Sequence, residues 1–318
     1  MTSGAESDLA GRLASVLDAD GIVGLRQLSG GASRETWSFT ALDGSGISRS
    51  LILQRQRAGS ERDIAVEAAA VRAAGAGGVP VAEVVAASTD PEVLGAPFMI
   101  VTEVPGETIA RRILRDERFA VAREALPTQL GRALAALHAL DPATVPGLVA
   151  SDQVAQYREV LDTVGEPHPA FELGFRWLEA HRPPAGQGAV VHGDFRLGNL
   201  IVDEKGLAAV VDWELAHVGD PMEDLGWLCV KSWRFGSPQP VAGVGTYDQL
   251  FASYAAASGR PVDAEVVRWW EVLGTLKWGI MCIMQASAHL TGTVRSHELA
   301  AIGRRVCENE HDLLLLLG

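Results

Sequence analysis

Val190-Val191-His192-Gly193-Asp194-Phe195-Arg196-Leu197-Gly198-Asn199, followed by Asp212-Trp213-Glu214, is the stretch on which the reading of this chain turns. Leu200 to Val202 and Leu207 to Val211 are short apolar runs separated by Asp203-Glu204-Lys205-Gly206, so a hairpin with a polar turn is predicted. Folding it back sets Asn199 nearly opposite Asp212. Asp194 then lies in the loop just before the first strand, close enough to share a site with both.

These residue types suit magnesium-dependent phosphoryl transfer. Mg²⁺ takes hard oxygen donors and keeps several waters and substrate phosphate oxygens, so one carboxylate and one amide carbonyl suffice from a protein. Asp212 and Asn199 are the natural metal ligands, and Asp194 is left to act as general base toward an attacking hydroxyl. Protein kinases arrange the same roles as H-R-D-x-x-x-x-N plus D-F-G. Here the corresponding strings are His192-Gly193-Asp194 with Asn199, and Asp212-Trp213-Glu214. A lone His-x-Asp says little; the four-part spacing is specific.

The segment 192–226, which closes with Gly219-Asp220-Pro221-Met222-Glu223-Asp224-Leu225-Gly226, resembles the aminoglycoside phosphotransferase (APH) family, whose fold is protein-kinase-like. Arg196 and Trp213-Glu214 resemble the branch that also occurs fused to acyl-CoA dehydrogenases. The resemblance covers nearly the whole chain and is strongest in this segment. It implies an α+β fold in two lobes: a small antiparallel-sheet lobe over residues 1–104 that binds nucleotide, and a mainly helical lobe over 105–318 that carries the catalytic loop and acceptor site.

The patterns upstream agree with that order. Gly21 to Leu28, Thr36 to Leu42 and Ser48 to Gln56 read as strands, Glu61 to Ala74 as a helix, and Glu83–Ala87 and Phe98–Glu103 as two more strands. Beyond Val104-Pro105-Gly106, helical patterns dominate, with Leu126, Leu130, Leu134 and Leu137 forming one apolar stripe. The loop containing Gly30, Gly31 and Ser33 sits where a kinase-like fold covers nucleotide phosphates with backbone N–H groups.

The third strand departs from the family pattern. Kinase-like folds place a phosphate-contacting Lys there, paired with a Glu on the next helix. Leu51-Ile52-Leu53-Gln54-Arg55-Gln56-Arg57 has none. Gln54 falls in register with the missing Lys if Ile52 lines the adenine pocket, and Arg55 then faces the other side. A one-residue bulge would instead bring in Arg55, and Glu67 is the helix carboxylate to orient either. Glu103-Val104 resembles the hinge that binds adenine, with Val104 or a neighbour donating because Pro105 has no N–H.

Other motif residues read as support. His192 orients the catalytic loop, with metal ligation as its alternative, and Glu214 reaches a second metal through water or is a polar neighbour. Asp220, Pro221 and Glu223 read as N-cap, N1 and capping-box Glu of a helix over 221–231. The resemblance places Asp224 beneath the catalytic loop as a buried acceptor. Trp227, Trp233, Trp269, Trp270 and Trp278 read as core, some bordering an acceptor pocket.

Composition narrows the partners. Twenty-seven basic against 40 acidic residues give a net charge of −13, which disfavours nucleic acid and anionic membrane. Cys229, Cys282 and Cys307 are widely spaced and predicted to be buried free thiols. The first residues lack a secretory pattern, and Val272 to Ala288 is interrupted by Lys277 and Gln285, so a cytoplasmic protein is expected.

The reading is therefore an ATP- or GTP-dependent, Mg²⁺-dependent O-phosphotransferase acting on a small-molecule hydroxyl. Its acceptor is either an antibiotic or a hydroxyacyl-CoA-like metabolite. Lys231, Arg234 or Arg295 would meet an anionic acceptor at the cleft mouth. The alternative is a nucleotide-binding pseudokinase, motivated by the missing Lys. A metal-dependent phosphohydrolase built on His192, Asp194, His217 and Asp220 is a further rival, whereas no G-x-x-x-x-G-K-[ST] occurs.

Overall fold

A computed structural model describes residues 2–28, 34–44, 46, 48–57, 63–186 and 188–318. After helix α1 (Thr2–Leu17), strands β1 (Gly21–Gln27), β2 (Arg34–Leu42) and β3 (Ser48–Gln56) form an antiparallel meander. Helix α2 (Ile64–Ala76), strand β4 (Val84–Ser88), the short helix α3 (Pro91–Leu94) and strand β5 (Phe98–Thr102) complete this part of the chain, with sheet order β1-β2-β3-β5-β4. Alternation along the strands supplies both faces. Trp37, Phe39, Leu51, Leu53, Phe98 and Ile100 pack against Leu9 and Leu13 of α1, and Ile52, Met99 and Val101 pack against Ile64 and Ala68 of α2. Helix α2 starts at Ile64 because the Asp63 side chain accepts the N–H of Ala65. Helix α1 carries no start signal strong enough to foretell it.

The remaining chain is mainly helical. Helices α4 (Ala110–Arg115), α5 (Ala120–His138), α6 (Gln153–Val164) and α7 (Pro169–Ala180) precede strand β6 (Ala189–Val191), the hairpin β7 (Leu200–Asp203) and β8 (Gly206–Val210), and strand β9 (His217–Gly219). Helices α8 (Met222–Cys229), α9 (Tyr247–Ser258), α10 (Ala264–Leu290), α11 (His297–Ile302) and α12 (Arg305–Leu317) follow. Leu126, Leu130, Leu134 and Leu137 on α5 are fully buried, in one core with Leu200, Val210, Leu225 and Tyr254. That core fixes the hairpin against α5, α8 and α9. Residues 105–107 dock on the hairpin: Glu107 and Val202 exchange backbone hydrogen bonds of 2.9 and 3.0 Å, and a Cβ on Gly106 would lie 2.4 Å from the Ile201 side chain.

Two expectations need correction. Cys229 and Cys282 are buried, but Cys307 is exposed, because it lies on the outer side of amphipathic α12. Glu223 does not close a capping box. Asp220 still accepts the Met222 N–H at 2.8 Å, while the Glu223 carboxylate turns inward to Gln153 and His217. No helix among the described residues is long and apolar enough to cross a membrane.

Candidate active site

Pairing of β6 with β9 sets Val191 opposite His217 and fixes both ends of the central segment, while β7 and β8 place Leu200 opposite Val210. Between β6 and β7 the chain turns sharply at Gly193, whose φ is +77° and whose Cβ, were there one, would meet the Leu215 carbonyl at 2.5 Å. Asp224, fully buried, accepts the N–H groups of His192 at 2.8 Å and Gly193 at 2.9 Å. Burial works against this anion, but His138 and the backbone donors outweigh it and hold its pKa below the ordinary carboxylate value. A carboxylate only accepts, so His138 Nε2–H donates to Asp224 at 3.2 Å, and Nδ1 is hydrogen-bonded to the Tyr254 hydroxyl at 3.0 Å.

Both nitrogens of His192 are engaged: Nδ1 accepts the Asp194 N–H at 3.2 Å, and Nε2–H donates to the Val211 carbonyl at 3.1 Å. Burial lowers its pKa, so the ring is neutral and acts as a strut between loop and hairpin. His217 bonds the Leu215 carbonyl and Glu223, and Asp220 caps Met222. Three of the four residues of the phosphohydrolase reading, His192, His217 and Asp220, are thereby committed to local structure.

Asp194 is pinned by three side-chain donors. Its Oδ1 accepts from Trp227 Nε1 at 2.7 Å and Arg196 Nε at 3.0 Å, and its Oδ2 accepts from Asn199 Nδ2 at 2.6 Å. The Asn199 amide nitrogen also donates to the Asp194 carbonyl, which turns the side-chain oxygen of Asn199 away as the group able to meet a cation. Val211 N–H bonds the Asn199 carbonyl at 3.0 Å, so Asp212 emerges beside it. Asp212 has φ 67° and ψ 63°, a left-handed conformation that costs a non-glycine residue energy and aims its side chain. Burial first, and then Glu214, push its pKa up, as expected where carboxylates crowd together.

The amide oxygen of Asn199 and the carboxylate of Asp212 fit Mg²⁺ as a hard cation that retains waters and phosphate oxygens. Among the described residues no group of three His, Cys, Asp or Glu side chains is placed to hold a metal, which such an ion does not require. Arg196 is a site residue that the motif reading left without a role. Its guanidinium lies 4.8 Å from the Trp233 ring centroid, and a Cβ on Gly198 would strike its Nη1 at 2.3 Å.

Across the cleft, Gln54 and Arg55 point to opposite faces of the sheet. Arg55 pairs with Glu35 at 2.6 Å and donates to the Leu94 carbonyl at 3.0 Å, on the α1 side, which removes it as a cleft residue. No bulge interrupts β3 to reverse this. Gln54 faces the cleft and accepts from Arg34 Nη1 at 3.1 Å. Arg34, overlooked in the sequence, bonds Glu67 at 2.8 Å and Glu214 at 2.9 Å, and its Nη2 lies 3.6 Å from Asp212. Glu67 thus orients a cation, but from β2. Burial pushes the Glu67 carboxyl up even against this pairing. Gly30, Gly31 and Ser33 lie outside the described residues. The Glu103 N–H is taken by the Ser50 carbonyl at 2.9 Å, so that residue has its carbonyl to offer, while Val104 is partly buried against the cluster of Ile64, Met99 and Val101.

Behind the 192–199 loop, buried Lys277 donates to Gln153 at 3.2 Å and to the Gly193 carbonyl at 3.4 Å, and its Nζ lies 4.9 Å from the Trp227 ring centroid. Trp227, Trp233 and Trp278 form an aromatic cluster next to Asp194 and Arg196, whereas Trp269 packs in the α6–α7–α10 core. Arg234 is turned inward onto Glu271 and the Cys229 carbonyl, which withdraws it as a cleft-mouth cation. Lys231 pairs with Asp312, and Arg295 is exposed.

A sequence model of the phosphotransferase enzyme family APH matches residues 24–268. Mouse acyl-CoA dehydrogenase family member 10 is 28% identical over 270 residues, covering 74% of this chain and 24% of the relative. The chain therefore spans about a quarter of the length of that protein. A structure from Ralstonia eutropha, named as a candidate aminoglycoside phosphotransferase, superposes with a TM-score of 0.73 at 22% identity over 92% of each chain. The aminoglycoside phosphotransferase APH(4)-Ia, solved with AMP-PNP and hygromycin B, superposes with a TM-score of 0.64 at 15% identity, covering 96% of this chain and 98% of its own.

Proposed function

The chain belongs to the APH family of phosphotransferase enzymes, and we propose that it transfers the γ-phosphoryl group of ATP or GTP, with Mg²⁺, to a hydroxyl of a small molecule. The observation that carries this reading is the pinned Asp194 carboxylate, bonded by Asn199 at 2.6 Å and Arg196 at 3.0 Å beside Asp212. In this reading residues 1–104 and the cleft side of the sheet hold the nucleotide, with the Gly30–Gly31–Ser33 loop, Gln54 and Glu67 toward its phosphates and the Glu103 and Val104 main chain toward its base. Residues 105–318 supply the chemistry and the acceptor site.

Asp194 accepts the proton of the attacking hydroxyl, and its three donors hold it in one orientation during the transfer. Asn199 and Asp212 hold Mg²⁺, which when bound neutralises charge on the phosphate oxygens. Arg196, bonded to Asp194 through Nε, places the rest of its guanidinium beside the base and stabilises negative charge on the transferring group. Asp224, His192 and Lys277 keep the loop in register from behind.

For the acceptor, Trp278, the partly exposed member of a cluster whose Trp227 and Trp233 are buried beside Asp194, favours a partly apolar molecule over a polycation. The match to proteins named acyl-CoA dehydrogenases points the same way, toward a hydroxyacyl-CoA-like metabolite. The test is transfer of labelled γ-phosphate from ATP or GTP to kanamycin, a macrolide and a series of hydroxyacyl-CoAs. Transfer to the hydroxyacyl-CoAs is expected. Efficient kanamycin phosphorylation would overturn the acceptor assignment, and nucleotide binding without transfer to any of them would favour the pseudokinase.

A further inference from the structure

We propose that Arg34, the first residue of β2, is the side chain that meets the nucleotide's phosphates, taking over from the neighbouring strand the task that Gln54 on β3 cannot perform. The proposal rests on the cleft being a nucleotide site and names the cation that this reading lacks. Gln54 is neutral, and Arg55 is spent on Glu35 across the sheet. In the register of β2 with β3, Thr36 lies opposite Gln54, so Arg34 is one same-face position nearer the Gly30–Gly31 end of the strand. Its guanidinium reaches back over β3 to the Gln54 side chain at 3.1 Å, which brings its charge to the place a longer cation on β3 would occupy.

Its other contacts are those a phosphate-binding cation needs. Glu67 on α2 bonds Nη1 at 2.8 Å and fixes the group from behind, while Nη2 faces Glu214 at 2.9 Å and Asp212 at 3.6 Å, on the side of the proposed metal. Arg196 pairs with Asp194, and Arg34 with Asp212 and Glu214. Arg196 stands at the base, where the phosphoryl group is transferred. Arg34 stands on the sheet side, where the remaining phosphates would lie. A guanidinium suits this position because its planar fork can keep Glu67 on Nη1 while a phosphate oxygen takes the place of Glu214 on Nη2. A role confined to tying α2 to the Asp212 segment would use the same ion pairs, so the test must separate phosphate recognition from support.

The experiment measures the affinity of the full chain for Mg²⁺-ATP and Mg²⁺-GTP by displacement of a fluorescent nucleotide, and for adenosine and guanosine by competition. Thermal melting of each variant runs alongside. Arg34→Gln is expected to weaken triphosphate binding about 10- to 100-fold, the range for a lost charge-assisted hydrogen bond, while nucleoside affinity stays within about twofold. Arg34→Lys should fall between wild type and Arg34→Gln. Gln54→Lys placed in the Arg34→Gln background should recover at least about threefold of the lost affinity by returning the charge to β3. If Arg34→Gln does not fold, Arg34→Lys carries the decision, read as its loss of triphosphate affinity against its nucleoside affinity. Equal losses for nucleoside and triphosphate, or no loss with no recovery in the double variant, would overturn the assignment and leave Arg34 a structural tie. Failure of the wild-type protein to bind either triphosphate would instead remove the nucleotide reading, and this proposal with it.

Discussion

Asp224→Asn isolates how much the catalytic loop owes to one buried carboxylate. In the wild type Oδ1 accepts the Gly193 N–H, and Oδ2 accepts both the His192 N–H and His138 Nε2–H. An amide of the same shape has one oxygen, so at least one buried donor loses its partner and faces an NH₂ instead. An orphaned buried donor costs about 1–3 kcal/mol, and the remaining bonds lose their charge assistance, which adds about 1 kcal/mol. The total of about 2–4 kcal/mol is a large share of a typical stability of about 5–15 kcal/mol. With an unfolding entropy of about 2.1 cal/mol/K per residue, it corresponds to a fall in Tm of about 3–6 °C for a chain of 318 residues. Calorimetry at pH 7 reads the loss directly, and phosphoryl transfer should fall with it while triphosphate affinity is kept, because the loop and not the sheet is disturbed. The folded-state pKa of Asp224 is depressed, so its contribution is complete above the ordinary carboxylate value of about 3.9 and is lost as pH drops through the folded value. An Asn variant that melts within about 1 °C of wild type, with unchanged transfer, would refute the idea that this carboxylate holds the loop.

Asp194→Asn is expected to lower transfer by at least about 100-fold with triphosphate affinity retained, whereas Asp212→Ala should weaken Mg²⁺-nucleotide binding itself; titration calorimetry showing the reverse would exchange their roles. Gly193→Ala should cost about 1 kcal/mol for its positive φ and more for the 2.5 Å approach to the Leu215 carbonyl, so a melting temperature equal to wild type would show that the turn can rearrange. Arg55→Ala should leave triphosphate affinity unchanged and lower stability only modestly, and a tenfold loss of affinity would contradict its placement beside Glu35. Burial opposes the His217 imidazolium, but Glu223 outweighs it and raises the pKa; the stability it contributes is complete below the ordinary value of about 6.5 and is lost as pH rises through the folded value. The melting difference between wild type and His217→Asn should therefore shrink from pH 5.5 to pH 8.5, and a difference independent of pH would rule out that ion pair.

What the sequence determined by itself is the part of the site built from neighbours in the chain. His192, Asp194, Asn199 and Asp212 lie within one strand-loop-hairpin unit, and the turn at Asp203–Gly206 forces their approach whatever surrounds them. Strand alternation likewise separates Gln54 from Arg55, because consecutive side chains must take opposite faces. Which partners meet across long separations was decided only in the tertiary structure. Periodicity tells which face a residue occupies, not which distant group stands opposite it. The Arg34 guanidinium gathers Glu67, 33 residues away, and Glu214, 180 residues away, and no local pattern marks Arg34 for that role. Trp227 and Lys277 reach the catalytic loop in the same way, through the packing of α8 and α10. Glu223 satisfied a local capping rule in sequence but was drawn inward, since a buried Gln153 and His217 offered it stronger partners than its own helix end.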